Sequence, residues 1–139
     1  MGAWGEGPFE NDDAGDWAWE FDGLDRGAGL QLLDAAFATV HQLDYVEAPD
    51  GAIAVAAAQV VAWMARPDDI PDSPYGESAV AWIRSAGGPP APALMASARQ
   101  ALQRVQAEGS ELAELWDESD GDAWSADLQR LDAALTPPP

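Results

Sequence analysis

The sequence contains no cysteine, no lysine and one histidine. Without cysteine there are no disulfides, no thiolate zinc sites and no cysteine nucleophile, and nothing points to a secreted, disulfide-stapled protein. With His41 alone, a multi-histidine metal site is excluded. A helical di-iron pair would also need Glu three residues before the histidine, where Ala38 stands. Positive charge is scarce: six arginines face 25 acids, for a net charge of −19. Such a surface repels phosphate and anionic lipid, so neither nucleic acid nor a membrane is an expected partner. It attracts a cationic protein or divalent ions, although solubility is the plainer use of the charge. The start lacks the basic and apolar regions of a signal peptide, and Glu6 breaks the myristoylation pattern. The longest apolar stretch, residues 52–65, is shorter than the roughly 20 residues a bilayer demands. The expected location is the cytoplasm.

What is present indicates a packed core. A chain of 139 residues, 47% hydrophobic and with seven tryptophans, is expected to form one domain over residues 1–139. The acids crowd its two ends. Residues 1–25 hold eight acids and no base, and so do residues 106–129.

The segment "MGAWGEGPFENDDAGDW" reads as an ordered arm. Gly2, Gly5 and Gly7 allow sharp turns, and Trp4 and Phe9 are worth about 2 kcal/mol or more each when buried. Residues 1–10 are therefore expected to dock on the body. Asn11 is a favoured N-cap, and Asp12 and Asp13 suit the first turn of the helix it starts. Those acids also argue against an anion site at that helix end.

Helical spacing then dominates. Ala14, Trp17, Phe21 and Leu24 make one stripe, and Leu30, Leu33, Phe37 and Val40 a second. Asp50 is the expected N-cap of "AIAVAAAQVVAWMA", which is apolar on all sides except at Gln59 and should be the central helix. "ESAVAWIRSAGG" is a short helix ended by Gly87 and Gly88. Pro92 opens the next, with Met95, Ala98, Leu102 and Val105 on its face, up to Gly109. Ser110 caps "ELAELW". Trp124, Leu128, Leu131 and Leu135 form the last stripe, before a proline-rich tail at 136–139. The expectation is an all-α bundle of six or seven helices.

The opening motif "GAWGEGPFENDDAGDW", the later "AAAQVVAWMA" and "SELAELWDE", and the leucine-spaced last helix together resemble a bacterial family catalogued as domain of unknown function 4259. The resemblance touches the start, middle and end of the chain. It implies a bacterial source and small, uncharacterised relatives, and it transfers no catalytic residue. It also implies an acid in relatives where this chain has Gln59.

Chemistry is thin in the remaining residues. His41 shares a helix edge with Asp34 and Asp44, an acid/base couple in principle, but a histidine there is ordinarily solvated. Seven serines occur without a G-x-S-x-G elbow. "DESDGD" fails the EF-hand pattern because Trp116 falls where the first Asp ligand belongs. Gln59, inside an apolar helix, needs a partner: Asn11, a backbone carbonyl or water. No catalytic residue, metal or cofactor is assigned.

Two readings remain. One is a non-catalytic interaction module, of inhibitor or immunity type, that meets a basic protein through Trp19, Glu111, Glu114, Trp116, Asp117 and Glu118. The other is an enzyme or ligand-binding protein with a pocket between helices. Tryptophans lining a cavity would favour the second, and exposed tryptophans among carboxylates the first.

The arm is directly testable. Deleting residues 1–10, or Trp4→Ala, is expected to lower stability by about 2–4 kcal/mol in chemical denaturation, since a buried aromatic is lost. Unchanged transitions would make residues 1–10 a loose tail.

Overall fold

The central helix comes from "APDGAIAVAAAQVVAWMA". The computed structural model describes residues 12–71, 76–117 and 121–136, and within these Ala48–Ala65 is helix α3. Thirteen of its eighteen residues are buried, so no face of it is left for water. The other helices are arranged to cover it. They are α1 (Asp12–Ala18), α2 (Arg26–Gln42), α4 (Glu77–Trp82), α5 (Pro92–Gln106), α6 (Glu111–Asp117) and α7 (Gly121–Leu135). Helices α1, α2, α5, α6 and α7 all pack on α3. The alanines Ala56, Ala57 and Ala58 are fully buried, and their small side chains let neighbouring helices approach closely. Among the described residues the protein is an all-α bundle of seven α-helices, with no strand.

The apolar stripes point inward as their spacing predicts. Ala14, Trp17 and Phe21 are buried, as are Leu33, Phe37 and Val40, and Trp124, Leu128, Leu131 and Leu135. Trp17 meets Phe21 edge-on at 5.1 Å, and Phe21 packs on Trp82 at 5.1 Å. Ser110 caps α6, its Oγ accepting from Ala113 N at 3.4 Å.

One boundary is corrected. Helix α3 starts at Ala48, two residues before the expected cap Asp50, which lies instead in the first turn. Pro49 causes no break there because first-turn N–H groups have no intrahelical partner to lose. The added turn makes α3 eighteen residues long, enough in length and composition to cross a bilayer, but its apolar sides are covered by protein. The arm at residues 1–10, with Trp4, Gly5, Phe9 and the cap Asn11, lies outside the described residues. So do Glu118 and residues 137–139 of the tail.

The contact of α2 with Trp82, the last residue of α4, depends on one missing side chain. A Cβ on Gly29 would overlap the indole of Trp82. That indole is anchored, donating Nε1–H to Asp25 O at 2.9 Å. Gly→Ala inside a helix ordinarily stabilises by about 1 kcal/mol. Here Gly29→Ala is expected to destabilise by about 2–3 kcal/mol, because Trp82 is forced out of its place. Urea denaturation gives the sign, and a gain in stability would contradict this packing.

Candidate functional site

The expected binding residues separate into two places with different roles. Glu111 and Glu114 lie on α6, Glu111 part-buried and Glu114 exposed, and both accept a hydrogen bond from the protein. Glu111 Oε1 accepts from Ala48 N at 2.7 Å. The N-terminal residue flanking α3, Glu47, gives no side-chain cap, so a carboxylate from a helix distant in sequence satisfies the first N–H of the central helix. A negative charge there also complements the helix dipole. Glu114 Oε2 accepts from Tyr45 Oη at 2.6 Å. These two acids are thus fasteners between α6 and the start of α3.

The same corner is tied by Arg104. Its Nη1 donates to Glu108 O, and its Nη2 reaches Leu43 O, Asp44 O and Gly109 O, at 3.0–3.3 Å. The two loops also exchange backbone hydrogen bonds, Val46 N to Gly109 O at 2.7 Å and Glu111 N to Val46 O at 2.9 Å. Gly109 has φ +80, and a Cβ there would come within 2.9 Å of Asp44 O.

Trp116 corrects another expectation. It was a candidate exposed aromatic, but it is half-buried and stacks on Trp124, with ring centroids 6.3 Å apart and planes 7° from parallel. Asp117 is exposed at the end of α6. Trp19 alone among the tryptophans of the expected surface stands in water, 67% exposed. It lies among the exposed acids Asp12, Asp13, Asp16, Glu20 and Asp22.

Gln59 is 4% exposed. Arg130 Nη2 donates to Gln59 Oε1 at 3.4 Å and to Asp127 Oδ1 at 2.7 Å, and the anticipated partner Asn11 lies outside the described residues. Asp127 Oδ2 is buried with no hydrogen bond. His41 is exposed near the end of α2. Among the described residues no three His, Asp or Glu side chains converge as metal ligands. A groove of about 260 Å³ lies between α2 and α5, lined by Arg26, Leu30, Asp34, Leu94 and Ser97 among others, with no tryptophan in its wall.

The match to known families follows this geometry. The family model described as "Domain of unknown function (DUF4259)" matches residues 2–127 of the 139. The chain belongs to the DUF4259 family. No curated protein and no solved structure matches it. The DUF4259 match takes in α1 to α6 and the first half of α7, and hence the whole Tyr45–Arg104–Glu111–Glu114 corner.

The corner has a titration signature. Tyr45 is pushed up to about 12 from 10, first by its hydrogen bond to Glu114, then by partial burial and by the charges of Glu114, Glu111 and Glu47. A raised phenol pKa means that the folded state favours the neutral form. The stabilisation is therefore whole below pH 10 and is lost as the pH rises from 10 through about 12. Tyrosinate absorbance of a Tyr75→Phe variant should show Tyr45 ionising near pH 12, and Glu114→Gln should bring it back towards 10. A normal titration in the parent would refute the Tyr45–Glu114 bond.

Proposed function

We propose that the protein is a non-catalytic interaction module that binds a basic protein through its acidic exterior, in the manner of an inhibitor or immunity protein, in the cytoplasm. The observation that supports this is where the few cations go. Arg26 donates to Ala86 O and Pro89 O, and Arg104 to four carbonyls. Arg99 pairs with Asp132 and Arg130 with Asp127. Four of the six arginines are thus engaged within the fold, and among the described residues most acids have no cation beside them. A field of one sign repels like-charged surfaces and steers a cationic partner into encounter.

Glu111 and Glu114 contribute to that field but hold α6 in place, so the contact is assigned to the free carboxylates. Asp12, Asp13, Asp16, Glu20 and Asp22 around Trp19 are the principal set, with Asp117 beyond them. Affinity capture with the intact protein, read at rising salt, tests this. The expected result is a basic partner whose association rate falls about tenfold or more as the ionic strength passes from well below to well above the physiological value. Changing Asp12, Asp13, Glu20 and Asp22 to Asn or Gln should slow association without altering the helical signal. A partner of neutral or acidic charge, held equally at all salt concentrations, would overturn the reading.

A further inference from the structure

Among the described tryptophans, one stands where burial cannot explain it. Trp17, Trp63, Trp82 and Trp124 are in the core and Trp116 is stacked on Trp124, whereas Trp19 is two-thirds exposed. The helical phase shows what surrounds it. Ala14, Trp17, Ala18 and Phe21 form the inward stripe. Ala18 continues the helical backbone into the short 3-10 turn Trp19–Phe21, so Trp19 projects on the opposite side. Asp12, Asp16 and Trp19 follow the i, i+4, i+7 spacing of one stripe. Residues three apart are neighbours on a helix surface, about 5–6 Å between Cβ atoms. This spacing makes Asp16 and Trp19 neighbours on the exposed stripe.

The turn is fixed, with Asp22 N donating to Trp19 O at 3.1 Å. Among the described residues no arginine bonds to Asp12, Asp13, Asp16, Glu20 or Asp22.

We infer that Trp19 and Asp16 form an arginine-docking site: a partner's guanidinium stacks on the indole while its N–H fork engages the Asp16 carboxylate. This rests on the acidic-module reading above and names the chemistry of its contact point. The occupant follows from charge complementarity and shape. A guanidinium is planar, weakly hydrated and able to bond sideways in its own plane while its face lies on an aromatic ring. An ammonium group lacks both the plane and the fork. The site should thus distinguish arginine from lysine at equal charge, which a diffuse acidic field does not do. Glu20 and Asp22, exposed within three residues of Trp19, add negative charge to the neighbourhood without being required for stacking.

The test uses two end-capped hexapeptides, one alternating Arg and Gly and one alternating Lys and Gly, titrated into the intact protein and followed by calorimetry and by the indole N–H resonances. The Arg peptide is expected to bind more tightly and to shift the Trp19 signal. Trp19→Ala should weaken the Arg peptide by about fivefold or more and the Lys peptide much less. Trp19→Leu keeps an apolar side chain but no π face, and should behave as Trp19→Ala does. Asp16→Asn should reduce the preference for Arg over Lys. Equal binding of the two peptides, or tryptophan variants that bind as the parent does, would overturn the site. If such binding were still salt-sensitive, the acidic-module reading would survive. If neither peptide bound even at low salt, both would fall.

Discussion

The structure depends on the burial of α3. A helix apolar on every side cannot rest on a surface; it has to be enclosed. Its alanines set the distance at which neighbours approach, and Val55, Val60, Val61 and Met64 set the shape they must fill. Enclosure creates a second requirement. The start of α3 emerges at a crowded corner, where its first N–H groups need acceptors. Glu47, at the N-cap position, supplies none from its side chain. The acceptor comes from Glu111, 63 residues along the chain from Ala48. The central helix is therefore completed only once α6 has arrived, and α6 has no fully buried residue of its own to hold it there. The two depend on each other: α6 finishes α3, and α3 and Tyr45 keep α6 in place.

What the sequence reveals and what it hides divides along sequence distance. The all-apolar run of α3, the stripe Trp124, Leu128, Leu131, Leu135, and the cap Ser110 are all set by residues a few positions apart, and each stands in the structure as its spacing implies. The early start of α3 was hidden because its cap comes from another helix. The partner of Gln59 was hidden because Arg130 is 71 residues away. Trp116 and Trp19 look equally amphipathic in sequence, each flanked by acids. Trp124, eight residues on, gives Trp116 a stacking surface, and among the described residues Trp19 stays 67% exposed. Glu111 and Glu114 show the same limit. A run of acids reads as surface charge, yet two of them are structural acceptors, and nothing local distinguishes them from Asp117.

The exterior is negative because six arginines face 25 acids, and the arginines are placed to serve the fold. In many proteins cations on the surface balance carboxylates. Here Arg104 satisfies four carbonyls in two loops, and Arg26 two more around Gly88, where a Cβ would come within 2.7 Å of its Nη1. A guanidinium presents five N–H donors in a fixed plane, so one such side chain can tie together loops whose carbonyls would otherwise lack donors. Two of the six arginines therefore tie loops together, and two more pair with Asp132 and Asp127, which leaves few cations for the remaining carboxylates. The resulting field is long-ranged and unspecific; it governs solubility and encounter rates rather than recognition. Recognition needs a feature with shape. On α1 and the turn that follows it, Trp19, the one described tryptophan that the core did not take up, stands in the same stripe as Asp12 and Asp16. The negative field and the exposed indole thus share one setting: with the few cations committed to loops and to Asp127 and Asp132, the acids of α1 and of the turn after it stand without a cation around Trp19.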